Sequence, residues 1–148
     1  MRREAFFLVI LVLAAVSCKG SEGGKGGAGA TKKGDNYTLT VTPPDPGKKG
    51  QPVSAVVQVL PQNGYKINLE YPTKLTVTAP TGAAPAALEL RAKQATALLE
   101  HELKFRPTFT VSEAGKLSFS GKLKFSVCTD QLCHFHDEAI AWDTRVED

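Results

Sequence analysis

The chain has 148 residues, of which 42% are hydrophobic and 22% charged, and its formal net charge at pH 7 is +3. Lysines are interspersed with glutamates and aspartates, which excludes the continuous basic stripe that phosphate neutralisation needs, and with it a nucleic-acid partner. Once an N-terminal leader and a glycine-rich stretch are set aside, the remaining length allows one domain with a single core and no second.

The leader comes first. Arg2 and Arg3 form a positive start, and residues 6–16 are an almost unbroken apolar run, too short to span a bilayer as a mature helix. Residues 1–17 therefore read as an export signal. The run ends in Ala15-Val16-Ser17-Cys18, which resembles the lipobox of bacterial lipoproteins, with Ala15 standing where leucine is commonest. The resemblance implies that Cys18 becomes the first mature residue and carries a diacylglycerol thioether and an N-acyl chain. Each buried methylene then contributes roughly 0.8 kcal/mol to anchoring in the lipid bilayer. An ordinary secretory signal cleaved before a cysteine is the alternative. Lys19 occupies the place where aspartate signals inner-membrane retention, so the resemblance implies the outer membrane, with the domain facing the periplasm or the cell surface. Loss of residues 1–17 takes Arg2, Arg3 and Glu4 and leaves a charge of about +2.

From Lys19 to Asp35 no apolar residue exceeds alanine, so residues 18–35 read as a lipidated cysteine followed by a flexible tether. A Gly-rich coil of this length has an r.m.s. reach on the order of 23 Å. The folded domain is expected over residues 36–148.

Within it, residues 37–42 alternate apolar and polar side chains and stop at Pro43-Pro44-Asp45-Pro46-Gly47, a strand followed by a turn-rich loop. The same grammar predicts strands over residues 53–60, 65–69 (short), 74–79, 105–111, 116–127 and 133–146, with turns at residues 61–64, 80–82 and 113–115. Such short, evenly spaced strands predict an all-β, antiparallel sandwich. Residues 84–103 are rich in helix formers. However, Leu88 and Leu90 alternate with Glu89 and Arg91, and in a sandwich the stretch must cross between sheets. The expectation is strand, loop and strand.

The segment with chemical potential is Phe125-Ser-Val-Cys128-Thr-Asp-Gln-Leu-Cys133-His134-Phe135-His136. Of three cysteines, lipidation removes Cys18 and leaves Cys128 and Cys133 as an even pair, placed by export in an oxidising compartment. Residues 129–132 fit a four-residue hairpin loop, which sets the two cysteines opposite each other on one face, close enough for a disulfide. In loop-entropy terms, closing a ring of about six residues contributes only roughly 2 kcal/mol, and less where a hairpin already holds the ends. A short ring at an exposed hairpin tip is also open to thiolate attack. His134 and Lys124 are candidates to stabilise a thiolate if the fold brings them near.

Together, Gly64-Tyr65-Lys66-Ile67-Asn68, the Tyr71-Pro72 step and the late strand running into Cys128 and Cys133 resemble the N-terminal domain of the thiol:disulfide interchange protein DsbD. The resemblance implies an immunoglobulin-like fold over most of residues 36–148 and makes Cys128 and Cys133 the catalytic redox positions. Its implied partners are envelope thiol or disulfide proteins and a membrane electron donor. The cysteine spacing is slightly shorter than the family's. No aromatic, acidic cap loop is read between Leu88 and Phe105. Neither a membrane domain nor a thioredoxin-like domain accompanies the module in these residues, so the electron donor is expected to be a separate protein.

Two other readings stay open. One is a binding or adaptor lipoprotein whose disulfide is structural and which presents an edge strand or loop to a partner. The other is copper or zinc held by Cys128, Cys133, His134 and His136. Strand alternation opposes the metal, because the histidines share one face and the cysteines the other, and no cofactor is expected. The histidines then read as solvent-facing strand residues. His101, between Glu100 and Glu102, reads as a charged surface loop, and Trp142, in phase with Ile140 and Thr144, as core. Tyr65 and Tyr71 either shield the cysteines or fill the sandwich.

Overall fold

The period-two pattern of the sequence reappears as burial. In β2 (Tyr37–Thr42) Tyr37, Leu39 and Val41 are buried, while the threonines between them turn outward. The structure is a computed structural model, which describes residues 29–148. The expected export signal, Cys18 and the first part of the tether lie outside the described residues.

The chain forms an antiparallel β-sandwich. One sheet has the order β1 (Ala30–Lys33), β2, β5 (Val56–Pro61), β11 (Glu102–Phe105) and β10 (Ala97–Leu99). The facing sheet runs β3 (Gly47–Lys48), β14 (Cys133–Glu147), β13 (Gly115–Cys128), β7 (Lys74–Thr78) and β9 (Ala87–Arg91), with β6 (Lys66–Ile67) paired to the end of β13. A small third sheet, β4 (Pro52–Ser54), β12 (Thr108–Val111) and β8 (Ala83–Ala84), completes the set. Among the described residues, every strand pairing is antiparallel except β14 with β3.

Side chains from the two inner faces interdigitate. Phe105, Phe109, Phe119 and Phe125 are fully buried, and Trp142 stacks on Phe119 with ring centroids 5.1 Å apart. Burying a side chain of this size contributes about 1.5–3 kcal/mol. Trp142 is thus core, as its phase with Ile140 indicates. Among the described residues, the core draws on side chains from Tyr37 to Val146.

The sequence expectations meet the structure unevenly. Residues 84–103 do run strand, turn and strand: β9 belongs to one sheet, a 3-10 turn spans Ala92–Gln94, and β10 begins the crossing into the other. The strands expected over 53–60 and 105–111 are each cut in two. Pro107 has no N–H to give to a ladder, and its carbonyl accepts from Ala55 N–H at 3.1 Å. Both strands therefore leave the five-stranded sheet at the same level, and β4 pairs with β12 in the small sheet. The tether ends earlier than residue 35, because Ala30–Lys33 pairs with β2, Ala30 opposite Val41 and Lys33 opposite Thr38. All four residues are exposed. Composition denies them a core, but ladder hydrogen bonds need only backbone.

Two glycines set the geometry around the later site. Asn63 and Gly64 both have positive φ, 54° and 80°, and Tyr65 N–H donates to the Gln62 carbonyl at 3.1 Å, the two-residue turn that Asn-Gly favours. It delivers Tyr65 and β6 alongside β13. In the middle of β13, Gly121 lets β7 approach closely: a Cβ there would overlap the Thr76 carbonyl oxygen and lie 3.1 Å from Val77 Cα. Because backbone rather than a movable side chain would have to yield, Gly121→Ala is expected to lower stability by about 1–3 kcal/mol in chemical denaturation. A loss below about 0.5 kcal/mol would show that β7 gives way freely.

Candidate functional site: the Cys128–Cys133 hairpin tip

β13 and β14 pair along their whole length, from Gly115 opposite Val146 to Cys128 opposite Cys133. The connecting residues 129–132 close with Thr129 N–H donating to the Leu132 carbonyl at 2.8 Å, while the Thr129 hydroxyl accepts from Leu132 N–H at 3.1 Å. Next to this hydrogen-bonded pair, the cysteines take the closer, non-hydrogen-bonded position. Their Cα atoms are 4.0 Å apart, and the sulfurs are bonded, S–S 2.04 Å. The disulfide expected from the hairpin register is present.

The two sulfur-bearing residues differ in setting. Cys133 is exposed and Cys128 half-buried. On its other side Cys128 pairs with Lys66 of β6, whose Nζ meets the Glu100 carboxylate at 3.2 Å in an exposed ion pair. Ser126 and Phe135 form the next outward-facing cross-strand pair after the cysteines. Phe135 is 68% exposed, as are Leu132 (54%) and Leu69 (44%) to lesser degrees, so the disulfide sits beside apolar surface. Ser126 has the same outward orientation yet is 0% exposed. The chain at Asn68, whose N–H donates to the Ser126 carbonyl at 2.9 Å, turns across that face and brings Tyr71 to 5.5 Å from Phe135. Aromatic cover on the disulfide face thus comes from Tyr71, and not from residues 88–103.

The expected thiolate stabilisers stand elsewhere. Lys124 shares the outward face but lies beyond Ser126, its Nζ 3.5 Å from the Asp137 carboxylate. His134 points to the opposite face, where its Nε2 and Tyr65 Oη share a hydrogen bond at 3.2 Å. Tyr65 therefore packs with the histidines and leaves the disulfide uncovered. Ser126 and Lys66, which the sequence reading did not single out, are the side chains that flank Cys128.

Nor are the histidines solvent-facing. His134 and His136 are half-buried on the inward side, where His136 packs 5.0 Å from Phe125 and 4.5 Å from Tyr37. Their parity along β14 is that of Ile140 and Trp142, which are core. With the cysteines bonded to each other on the other face, the four do not converge. No group of three or more metal-ligating side chains occurs among the described residues. His101 is exposed in the turn between β10 and β11, as expected.

Beneath the histidines lies an ionised cluster. Glu138, buried, accepts a hydrogen bond from Tyr37 Oη (2.6 Å) and pairs with Lys32 of β1. Burial pushes its carboxyl upward, but the hydrogen bonds from Lys32 and Tyr37 outweigh this and hold it below the usual value. Burial, reinforced by Glu138, raises the Tyr37 phenol well above its ordinary range. His136 is held below the usual imidazole range, chiefly by burial, with His134 and Lys32 adding to the effect and Glu138 opposing it. Its Nδ1 is 3.9 Å from Glu138, and its Nε2 is buried without a partner.

In comparisons with known proteins, no family model matches the chain and no curated protein does. Among solved structures, AggA, the major subunit of aggregative adherence fimbriae type I from Escherichia coli, aligns with a TM-score of 0.38 and 9% identity. The alignment covers 78% of this chain and 98% of that one.

The His136 setting has a pH signature. An unfolded chain takes up a proton at this position near pH 6.5, whereas the folded one resists it, so the contribution is full above about pH 6.5 and is lost as pH falls below that. Glu138, with its pKa depressed, adds stability that is present above about pH 4.5 and lost as acid protonates it. In His136→Phe the decline in stability as pH falls below about 6.5 should flatten, with stability at neutral pH within about 1 kcal/mol of the parent. An unchanged slope in pH-dependent denaturation would assign the decline to other groups.

Proposed function

We propose that this chain is a lipid-anchored envelope protein whose hairpin tip exchanges its disulfide with partner thiols. The observation that carries the reading is the placement of the bond. It joins strands already aligned along their whole length, where a cross-link adds little stability. It also leaves Cys133 exposed at the end of the sandwich, where a partner can reach it.

In the oxidising direction, a partner thiolate attacks Cys133 Sγ, a mixed disulfide forms, and the Cys128–Cys133 bond breaks with its electron pair leaving on Cys128 Sγ. A second partner thiol then attacks the mixed disulfide, releases Cys133 as thiolate and carries away the new disulfide. In the reducing direction, Cys133 thiolate attacks a partner disulfide and Cys128 resolves the intermediate, so the pair must be re-reduced by a thiol or membrane donor. The exposed Phe135, Leu132 and Leu69 give such a partner apolar surface beside the reacting sulfur. The resemblance of the sequence to the DsbD N-terminal domain supports the same reading.

In a soluble form beginning at Lys19, the pair should equilibrate with glutathione at a potential above about −230 mV. A value below about −300 mV would leave the disulfide structural and the chain a binding or adaptor lipoprotein. Cys128→Ser, retaining exposed Cys133, should react with a disulfide reagent about tenfold faster than Cys133→Ser. Equal rates would remove the proposed order of attack. For the anchor, Cys18→Ala should move the protein from the membrane to the soluble fraction of cells. A parent protein already soluble would end the lipoprotein reading.

A further inference from the structure

Ser126 breaks the rule of its own strand. In β13 the inward-facing Leu123, Phe125 and Val127 are buried, as alternation requires, yet Ser126 between them is buried as completely on the other face. A hydroxyl removed from water costs stability unless it finds a hydrogen-bond partner. Among the described residues, the Ser126 Oγ has one, Cys128 Sγ at 3.9 Å. A disulfide sulfur carries no proton, so the hydroxyl donates, and it donates to a weak acceptor at long range.

That arrangement gives little to the oxidised protein and more to the reduced one. When the bond opens, the sulfur that leaves becomes anionic. A hydrogen bond to an ionised acceptor is shorter and about twice as strong as a neutral one. The donor is already in place, two residues along the same strand, held in a site from which water is excluded, so no reorganisation precedes the charge. Cys133 is exposed, and among the described residues no side-chain hydroxyl meets its sulfur as Ser126 meets that of Cys128. Lys66, opposite Cys128 on β6, is itself exposed and shared with Glu100, which leaves the hydroxyl as the buried polar group facing Cys128.

We propose that Ser126 is the built-in donor that stabilises Cys128 as the leaving thiolate, so that the disulfide opens with its charge on Cys128 and its accessible sulfur on Cys133. This rests on the exchange reading above, but it makes a claim about the reduced protein that can be measured without any exchange partner.

The test uses the soluble form beginning at Lys19, reduced, with Cys133→Ala so that Cys128 titrates alone, followed by ultraviolet thiolate absorbance. Ser126→Ala should lower the thiolate fraction at neutral pH about three- to tenfold, and Ser126→Thr, which keeps the hydroxyl, should restore it to within about twofold. With both cysteines present, and at a pH high enough for the Cys128 thiolate to predominate in both reduced forms, Ser126→Ala should shift the equilibrium with glutathione toward the disulfide by a similar factor, about 14 to 30 mV at 29.6 mV per decade. A thiolate fraction that is unchanged in Ser126→Ala, or lost equally in Ser126→Thr, overturns the assignment. The two readings fail separately. A parent potential below about −300 mV with the Ser126 effect intact removes exchange and keeps the donor. A high parent potential with no Ser126 effect does the reverse.

Discussion

The register of the β13–β14 hairpin is the constraint on which the rest of the molecule depends. Because side chains alternate strictly across a sheet, a slip of one residue would turn every one of them to the opposite face. With Cys128 opposite Cys133, the sulfurs, Ser126 and Phe135 face outward, while His134, His136, Glu138, Ile140 and Trp142 face the partner sheet. What fixes the register is the far end of the hairpin as much as the tip. Phe119 and Trp142 stack in the core, and Gly121 is the point where β7 closes in. A change in packing well away from the disulfide would therefore be felt as a change in which groups surround it.

The two faces of this hairpin carry different chemistry. Inside, Lys32, Tyr37, Glu138 and His136 form a mostly buried polar cluster that ties β1 and β2 to β14 across the sandwich. Outside, a disulfide lies among apolar side chains with one buried hydroxyl against one of its sulfurs. Both arrangements place a polar group where water cannot serve it, and in both the local partners determine which protonation or redox state is preferred.

Much of this was legible in the sequence, for identifiable reasons. The four residues between Cys128 and Cys133 and the clean alternation before them are local signals, so the hairpin, the cysteine pairing and the outward disulfide follow from short-range rules. The crossing of residues 84–103 followed from Leu88 and Leu90 alternating with charges, against helix propensity. The inward turn of His134 and His136 was recoverable, since Trp142 had been assigned to the core and the histidines share its parity. What no local pattern carries is long-range contact. Tyr37 reaching Glu138, Asn68 bonding the Ser126 carbonyl, and Pro107 meeting Ala55 each join residues far apart in the chain. Strand β1 escaped notice because its hold is backbone, which glycine-, alanine- and lysine-rich sequence does not advertise.

That strand has a mechanical consequence. A pull applied at Ala30 is borne, among the described residues, by four ladder residues and the Lys32–Glu138 pair. Hydrogen bonds in an antiparallel ladder run across the strands. Tension along β1 loads its rungs together in shear, whereas tension at right angles opens them one after another, beginning at Ala30. The same short strand is thus a firm grip against a lateral drag and a zipper against a lift. If it gives way at Lys33, the four freed residues add length ahead of β2 while the sandwich behind them stays closed.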